Sequence, residues 1–202
     1  MHFINLNRVN HKFLQNLFFY TGYFKDKVKN KVNIDKCKNF VLANVFYEPS
    51  TRTSLSFEVA MKKLGGEVIN FNKEHSSVKK GESVYDTLKT LETYSDLIVL
   101  RHPDKDVIYD LENKINKPII NAGNGAADHP TQALLDLYTI NEKFNLENNK
   151  INLLITGDIK YSRTIHSLDY LLKKLYKINI DYFAYPKCNN EDLMNENNTI
   201  NN

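Results

Sequence analysis

Short apolar runs alternate along the chain with longer segments whose apolar residues recur at helical spacing. Residues 39–46, 67–71, 96–100 and 118–122 read as strands. Between them a helix is predicted from Ser50 to the stop at Gly65 and Gly66, with Leu55, Phe57, Ala60, Met61 and Leu64 on one face. Further helices are predicted over 82–94 and 104–115. Upstream, Leu14, Leu17, Phe18, Tyr20 and Phe24 make a stripe suited to a first helix lying against a core. Downstream, a helix over 130–144 leads through the polar segment 145–150 into a new series: strand 151–156, helix 162–176 and strand 178–185.

Strand and helix in alternation imply an α/β fold, a parallel sheet with helices on both faces, because parallel strands need crossover connections. The new series after residue 150 then reads as an incomplete second α/β domain, since one strand–helix–strand unit leaves open edges and uncovered faces. The expected division is a first domain over 1–136, a partial second domain over 137–186 and a disordered, asparagine-rich tail over 187–202. Ligands in such folds gather beyond the carboxyl ends of strands. The loops after Phe46, Phe71, Leu100 and Ala122 are therefore where chemistry is expected.

Composition narrows the partners. With 202 residues and 42% hydrophobic content the chain can build a packed core, and no apolar run approaches the roughly 20 residues that cross a bilayer. The net charge of +3 is small and the two signs are interleaved, so a nucleic-acid partner is not suggested. Cys37 and Cys188 have the spacing of neither a metal site nor a redox pair, which fits a cytoplasmic setting. The aromatic, acid-poor opening segment has a second reading as an organellar targeting peptide.

Several strand-to-helix junctions carry candidate chemistry. Ser50, Thr51, Arg52 and Thr53 sit where free backbone amides and the positive end of a helix dipole converge, with hydroxyls and a guanidinium that suit an anion. The ordinary alternative is a Ser N-cap with an exposed Arg. Lys79 and Lys80 follow a polar loop with His75, Ser76 and Ser77, and are either a solvated charge pair or ammonium groups on a mobile loop. Arg101 immediately follows the third strand, at the edge where ligands lie. Residues 121–132 join a glycine-rich loop to His129 and Gln132 at a helix start. Arg163 opens a later helix, where the dipole disfavours a cation unless an anion draws it there.

Taken together, the blocks resemble a known family. Phe46-Tyr-Glu-Pro-Ser-Thr-Arg-Thr-Ser-Leu-Ser-Phe-Glu58, Lys79-Lys-Gly-Glu82, Arg101-His-Pro103, His129-Pro-Thr-Gln-Ala-Leu-Leu-Asp136 and Gly157-Asp-Ile-Lys-Tyr-Ser-Arg-Thr-Ile-His-Ser167 occur in the order seen in aspartate carbamoyltransferases. The first and fourth are shared with ornithine carbamoyltransferases, while the paired lysines and the last block resemble the aspartate branch. Ser54 departs from the Arg of many members.

The resemblance implies transfer of the carbamoyl group of carbamoyl phosphate to the amine of L-aspartate, with no metal or organic cofactor. Ser50, Thr51, Arg52 and Thr53 would hold the phosphate, with Arg101 reaching both phosphate and carbonyl. Thr53, Arg101 and His129 would stabilise charge on the carbonyl oxygen, Gln132 would hold the carbamoyl NH2, and Arg163 would bind a carboxylate of aspartate. Ser76 and Lys80 would come from an adjacent subunit of a homotrimer, and Glu48 would pair across the domain interface. Alternatives are an ornithine carbamoyltransferase, or a chain that binds carbamoyl phosphate without catalysing.

Overall fold

The computed structural model describes residues 2–73, 76–147, 149–176 and 178–189. The chain divides into two compact units, Met1–Gly125 and Ala126–Asn202. The expected boundary after residue 136 cuts through a continuous helix. By its contacts that helix, Pro130–Phe144, lies in the second unit, where its neighbour is the helix Arg163–Leu175.

In the first unit, four parallel strands lie in the order β2-β1-β3-β4: β1 is Val41–Phe46, β2 Glu67–Asn72, β3 Leu97–His102 and β4 Ile119–Asn124. Helix α1 (His11–Lys29) precedes them, and α2 (Thr51–Lys63), α3 (Val84–Tyr94) and α4 (Val107–Leu111) form the crossovers. Alternation along each strand sorts residues to two faces. Leu42, Val99 and Ala122 pack with Met61 of α2 on one side, while Ala43, Val45, Ile98, Leu100 and Ile119 pack with Leu88 of α3 and Ile108 and Leu111 of α4 on the other. The expected parallel sheet with helices on both faces is what forms.

Three expectations need correction. Arg101 and His102 do not follow the third strand; they are its last two residues. The helix expected over 104–115 shrinks to α4, because the Asp104 carboxylate accepts from the Asp106 amide and holds a turn instead. Of the stripe on α1, only Leu14 is buried, and Phe19 beside it is 70% exposed.

Ahead of α1, the opening residues extend the sheet. Phe3 donates to Ile119 O and accepts from Asn121 N, at 2.7 and 2.9 Å, beside the β4 edge. Ile4, Leu6 and Val9 are buried by this arrangement.

The second unit holds α5 (Pro130–Phe144), β5 (Asn152–Thr156), α6 (Arg163–Leu175) and β6 (Asn179–Phe183), with β5 and β6 paired in parallel. Leu171 and Leu172 of α6, Ile180 and Tyr182 are buried, and the Tyr182 hydroxyl donates to the buried carboxylate of Asp169. Of the tail expected to be disordered over 187–202, Lys187 and Cys188 complete a short 3-10 turn that begins at Pro186, and residues 190–202 lie outside the described residues.

Candidate functional site

The strand order decides where a ligand can enter. From β1 the chain passes to β2 on one side, and later from β3 to β4 on the other, so the loops leaving β1 and β3 diverge. That divergence is a topological switch point, the usual place for a ligand in open parallel sheets. The loop after β1 leads into Ser50–Thr53, and Arg101 of β3 lies opposite Phe46 in the register. A Tyr47 N to Arg101 O bond of 2.9 Å continues the β1–β3 ladder past the strand end.

At this corner the ordinary N-cap reading fails. Ser50 occupies the N-cap position of α2, but its side chain makes no cap hydrogen bond, and no acidic residue sits in the first turn. The hydroxyls of Ser50, Thr51 and Thr53 and the exposed guanidinium of Arg52 make no side-chain hydrogen bond or ion pair among the described residues. An α-helix start leaves its first amides without intrahelical acceptors and concentrates positive potential there. Free amides, hydroxyls and a fixed cation together form a cradle suited to phosphate.

Beneath that turn lies a polar cluster in the apolar layer. Asn44 of β1, 2% exposed, donates from Nδ2 to Ser54 Oγ (3.1 Å), Ser54 O (3.3 Å) and Asn70 Oδ1 (2.9 Å). Its own Oδ1 is buried without a partner among the described residues. Asn70 passes the chain on to Glu58, which also holds Lys62. A cleft of about 580 Å³ opens here, lined by Asn44, Ser50, Thr51, Ser54, Glu58 and Lys73 among others. Arg52, Thr53 and Arg101 are not among its lining residues.

Arg101 is held by a carboxylate of its own unit. Its Nε lies 2.5 Å from Glu48 Oε1, with both side chains largely covered, and Nη1 reaches Ala122 O at 3.5 Å. His102 next to it is structural: Nδ1 accepts from Asp104 N at 3.0 Å, the ring lies against Tyr47, and burial lowers its pKa.

The lysine loop is a short 3-10 turn, Ser77–Lys80, with Ser76 as its N-cap and Gly81 closing it at φ 92°. Ser76 donates to Lys73 O and accepts from Val78 N, so its hydroxyl serves the turn. Lys79 and Lys80 are exposed and form no ion pair among the described residues; His75 lies outside those residues.

The glycine-rich segment is more ordered than its composition implies. Asn121 and Asn124 of β4 are buried and bonded to each other at 3.0 Å, with Asn124 the last residue of the strand. Gly125 is required at its position, because a Cβ there would meet Pro103 O at 2.6 Å.

In the second unit, His129 is the N-cap of α5, 6% exposed, and its backbone amide donates to Ser167 Oγ of α6 at 3.1 Å. Thr131 Oγ1 stands 3.5 Å from His129 Nδ1. Gln132, one turn in, donates from Nε2 to Asp136 Oδ1 at 2.9 Å. Burial pushes the Asp136 carboxyl above its ordinary range, against the effect of that bond. Arg163 opens α6 and is half-buried; the loop before it is fixed by Asp158 accepting from Tyr161 N and by His166 Nε2 against Ile159 O.

Sequence reasoning passed over Asn44, Lys73 and Asp136 as functional candidates. An asparagine inside an apolar strand was a readable signal for the first, and the i,i+4 spacing from Gln132 for the last. Lys73 had no signal. Among the described residues, no three His, Cys, Asp or Glu side chains gather where they could hold a metal ion. No helix among them is long and apolar enough to cross a membrane.

Residues 1–142 match the family described as aspartate/ornithine carbamoyltransferase, carbamoyl-P binding domain. The chain is 46% identical to the aspartate carbamoyltransferase catalytic subunit of Thermococcus onnurineus, over 84% of this chain and 56% of that protein. It is 44% identical to the multifunctional protein CAD of Squalus acanthias, over 90% of this chain and 8% of that protein. A crystal structure of aspartate transcarbamoylase from Trypanosoma cruzi in complex with carbamoyl phosphate and aspartate superposes with a TM-score of 0.84 at 37% identity. That match covers 89% of this chain and 57% of the other. The chain thus spans little more than half of such single-function relatives.

Proposed function

The chain belongs to the aspartate/ornithine carbamoyltransferase family through its carbamoyl-phosphate-binding domain, and from that premise we propose that it transfers the carbamoyl group of carbamoyl phosphate to the amine of L-aspartate. The products are N-carbamoyl-L-aspartate and phosphate, at an early step of pyrimidine synthesis. The observation that carries this reading is the uncapped start of α2 at the switch point, with Arg52 beside it and Arg101 on the neighbouring strand.

In this reading Ser50, Thr51, Arg52 and Thr53 bind the phosphate through first-turn amides, hydroxyls and guanidinium. Arg101 bridges phosphate and carbonyl once Glu48 releases it. As the aspartate amine attacks, negative charge grows on the carbonyl oxygen, and Thr53, Arg101 and His129 supply the stabilising donors. Gln132 accepts from the carbamoyl NH2 and Arg163 pairs with a carboxylate of aspartate. The departing phosphate is available to take the amine proton, so no covalent enzyme intermediate is needed.

Ser76 and Lys80 act in a neighbouring copy of a homotrimer. The exposure of both lysines, on a turn that uses neither ammonium group, supports this assignment.

Turnover with both substrates, paired with calorimetric titration of carbamoyl phosphate, tests the proposal. Carbamoyl-aspartate formation is expected. Citrulline from ornithine, with no product from aspartate, would move the chain to the other branch, and binding without either product would remove catalysis from it.

A further inference from the structure

Glutamine at the third position of a helix ordinarily closes a capping box by reaching back to the amide of the N-cap residue. In α5 that amide, His129 N, is already taken by Ser167 Oγ at 3.1 Å. Gln132 therefore has no cap to serve. Its side chain instead runs along the helix to Asp136, with Nε2 2.9 Å from Oδ1.

The chemistry of the two groups fixes the amide's orientation. An ionised carboxylate only accepts, so the end of the amide that faces Asp136 must be its NH2. Oε1 is then turned the other way, as an acceptor with two lone pairs. We propose that Asp136 is a positioning residue that sets the Gln132 amide, so that an acyl phosphate presenting N–H donors is preferred over one presenting a methyl group. The proposal rests on the reading of Gln132 given above, and adds how its selectivity arises.

The pair also has a cost that a mere helix-surface contact would not. Asp136 is half-buried, and that burial disfavours its charged form. An exposed i,i+4 pair would give α5 the same helical support without that penalty.

Acetyl phosphate is the discriminating probe, because it matches carbamoyl phosphate in charge and shape with CH3 in place of NH2. Dissociation constants for both would be measured by calorimetry on the full chain and on Asp136→Asn, Gln132→Leu and the double variant. An asparagine at 136 can present either a donor or an acceptor, so it no longer dictates which way Gln132 points. The expected result is that Asp136→Asn lowers the preference for carbamoyl over acetyl phosphate by roughly tenfold, about the value of one hydrogen bond. Gln132→Leu should lower it at least as far, and adding Asp136→Asn to it should change nothing more.

A folded Asp136→Asn chain that keeps the preference within about twofold of the parent overturns the proposal, as does an additive double variant. Failure of the underlying functional reading looks different: the parent chain itself would bind neither acyl phosphate.

Discussion

Asn44 makes the sharpest test of how the phosphate corner is held. Replacing it with alanine removes an amide whose two N–H hydrogens serve at most two of its three close acceptors, Ser54 Oγ, Ser54 O and Asn70 Oδ1. Two neutral hydrogen bonds contribute about 2 kcal/mol net. The same substitution deletes a buried carbonyl oxygen that has no partner among the described residues, which relieves about 1–3 kcal/mol of unrecovered desolvation. No buried orphan is left behind, since Ser54 and Asn70 both reach solvent. The opposing contributions leave a predicted stability change of no more than about 1.5 kcal/mol once a small cavity is included.

Affinity should behave differently. Asn44 is the tie between β1 and the first turn of α2, so its loss frees the turn whose amides and dipole would face the proposed phosphate. A fall in phosphate affinity of roughly five- to tenfold is expected, equivalent to about 1–1.4 kcal/mol. Urea unfolding monitored by circular dichroism reads the first quantity, and calorimetric titration of inorganic phosphate the second. A loss of more than about 3 kcal/mol in stability with unchanged phosphate affinity would refute the reasoning, showing that the cluster holds the fold and not the corner.

Three further outcomes are expected. Glu48→Gln should weaken a largely covered charge-assisted bond, lowering stability by about 1–2 kcal/mol while raising phosphate affinity, because the competing carboxylate on Arg101 is gone; weaker phosphate binding would mean that Glu48 poses Arg101 for the ligand. Lys80→Ala and Arg52→Ala chains, each inactive alone, should regain activity when mixed and reassembled, and no recovery would exclude a site shared between subunits. Asp136 has a folded pKa raised by burial, so the stability it allows is full below its unfolded value and falls as pH rises through the folded value. Asp136→Asn should accordingly be no less stable than the parent at neutral pH in urea unfolding, and a lower midpoint there would contradict a dominant burial penalty.

What could be read without coordinates follows a physical line. Helix α5 was legible with its approximate end because both ends are written locally, with Pro130 at its first position and Asn145 in the left-handed conformation after its last. The four strands were legible as apolar runs covered on both faces. Helix α4 was not, since the apolar spacing of Ile108, Leu111 and Ile115 is the same whether the chain coils continuously or breaks at a carboxylate-held turn. The Ser50–Thr53 corner proposed for the phosphate was visible as a local motif, and its lack of a cap was not, because Ser50 has the composition of an ordinary N-cap. Pairing of Glu48 with Arg101 depends on β1 and β3 being neighbours, a consequence of strand order that no local pattern states. Gln132 was singled out, yet its orientation required seeing Ser167 occupy the amide it would otherwise cap.

Backbone amide resonances of residues 51–54, followed by NMR while carbamoyl phosphate is added, would test the phosphate corner most directly. Saturable shifts of the Thr51, Arg52 and Thr53 amides are expected, with affinity falling at least tenfold in Arg52→Ala, the loss of one charge-assisted contact. Saturable binding that leaves these amides unmoved, or binding that Arg52→Ala does not weaken, would contradict the placement of the phosphate at the start of α2.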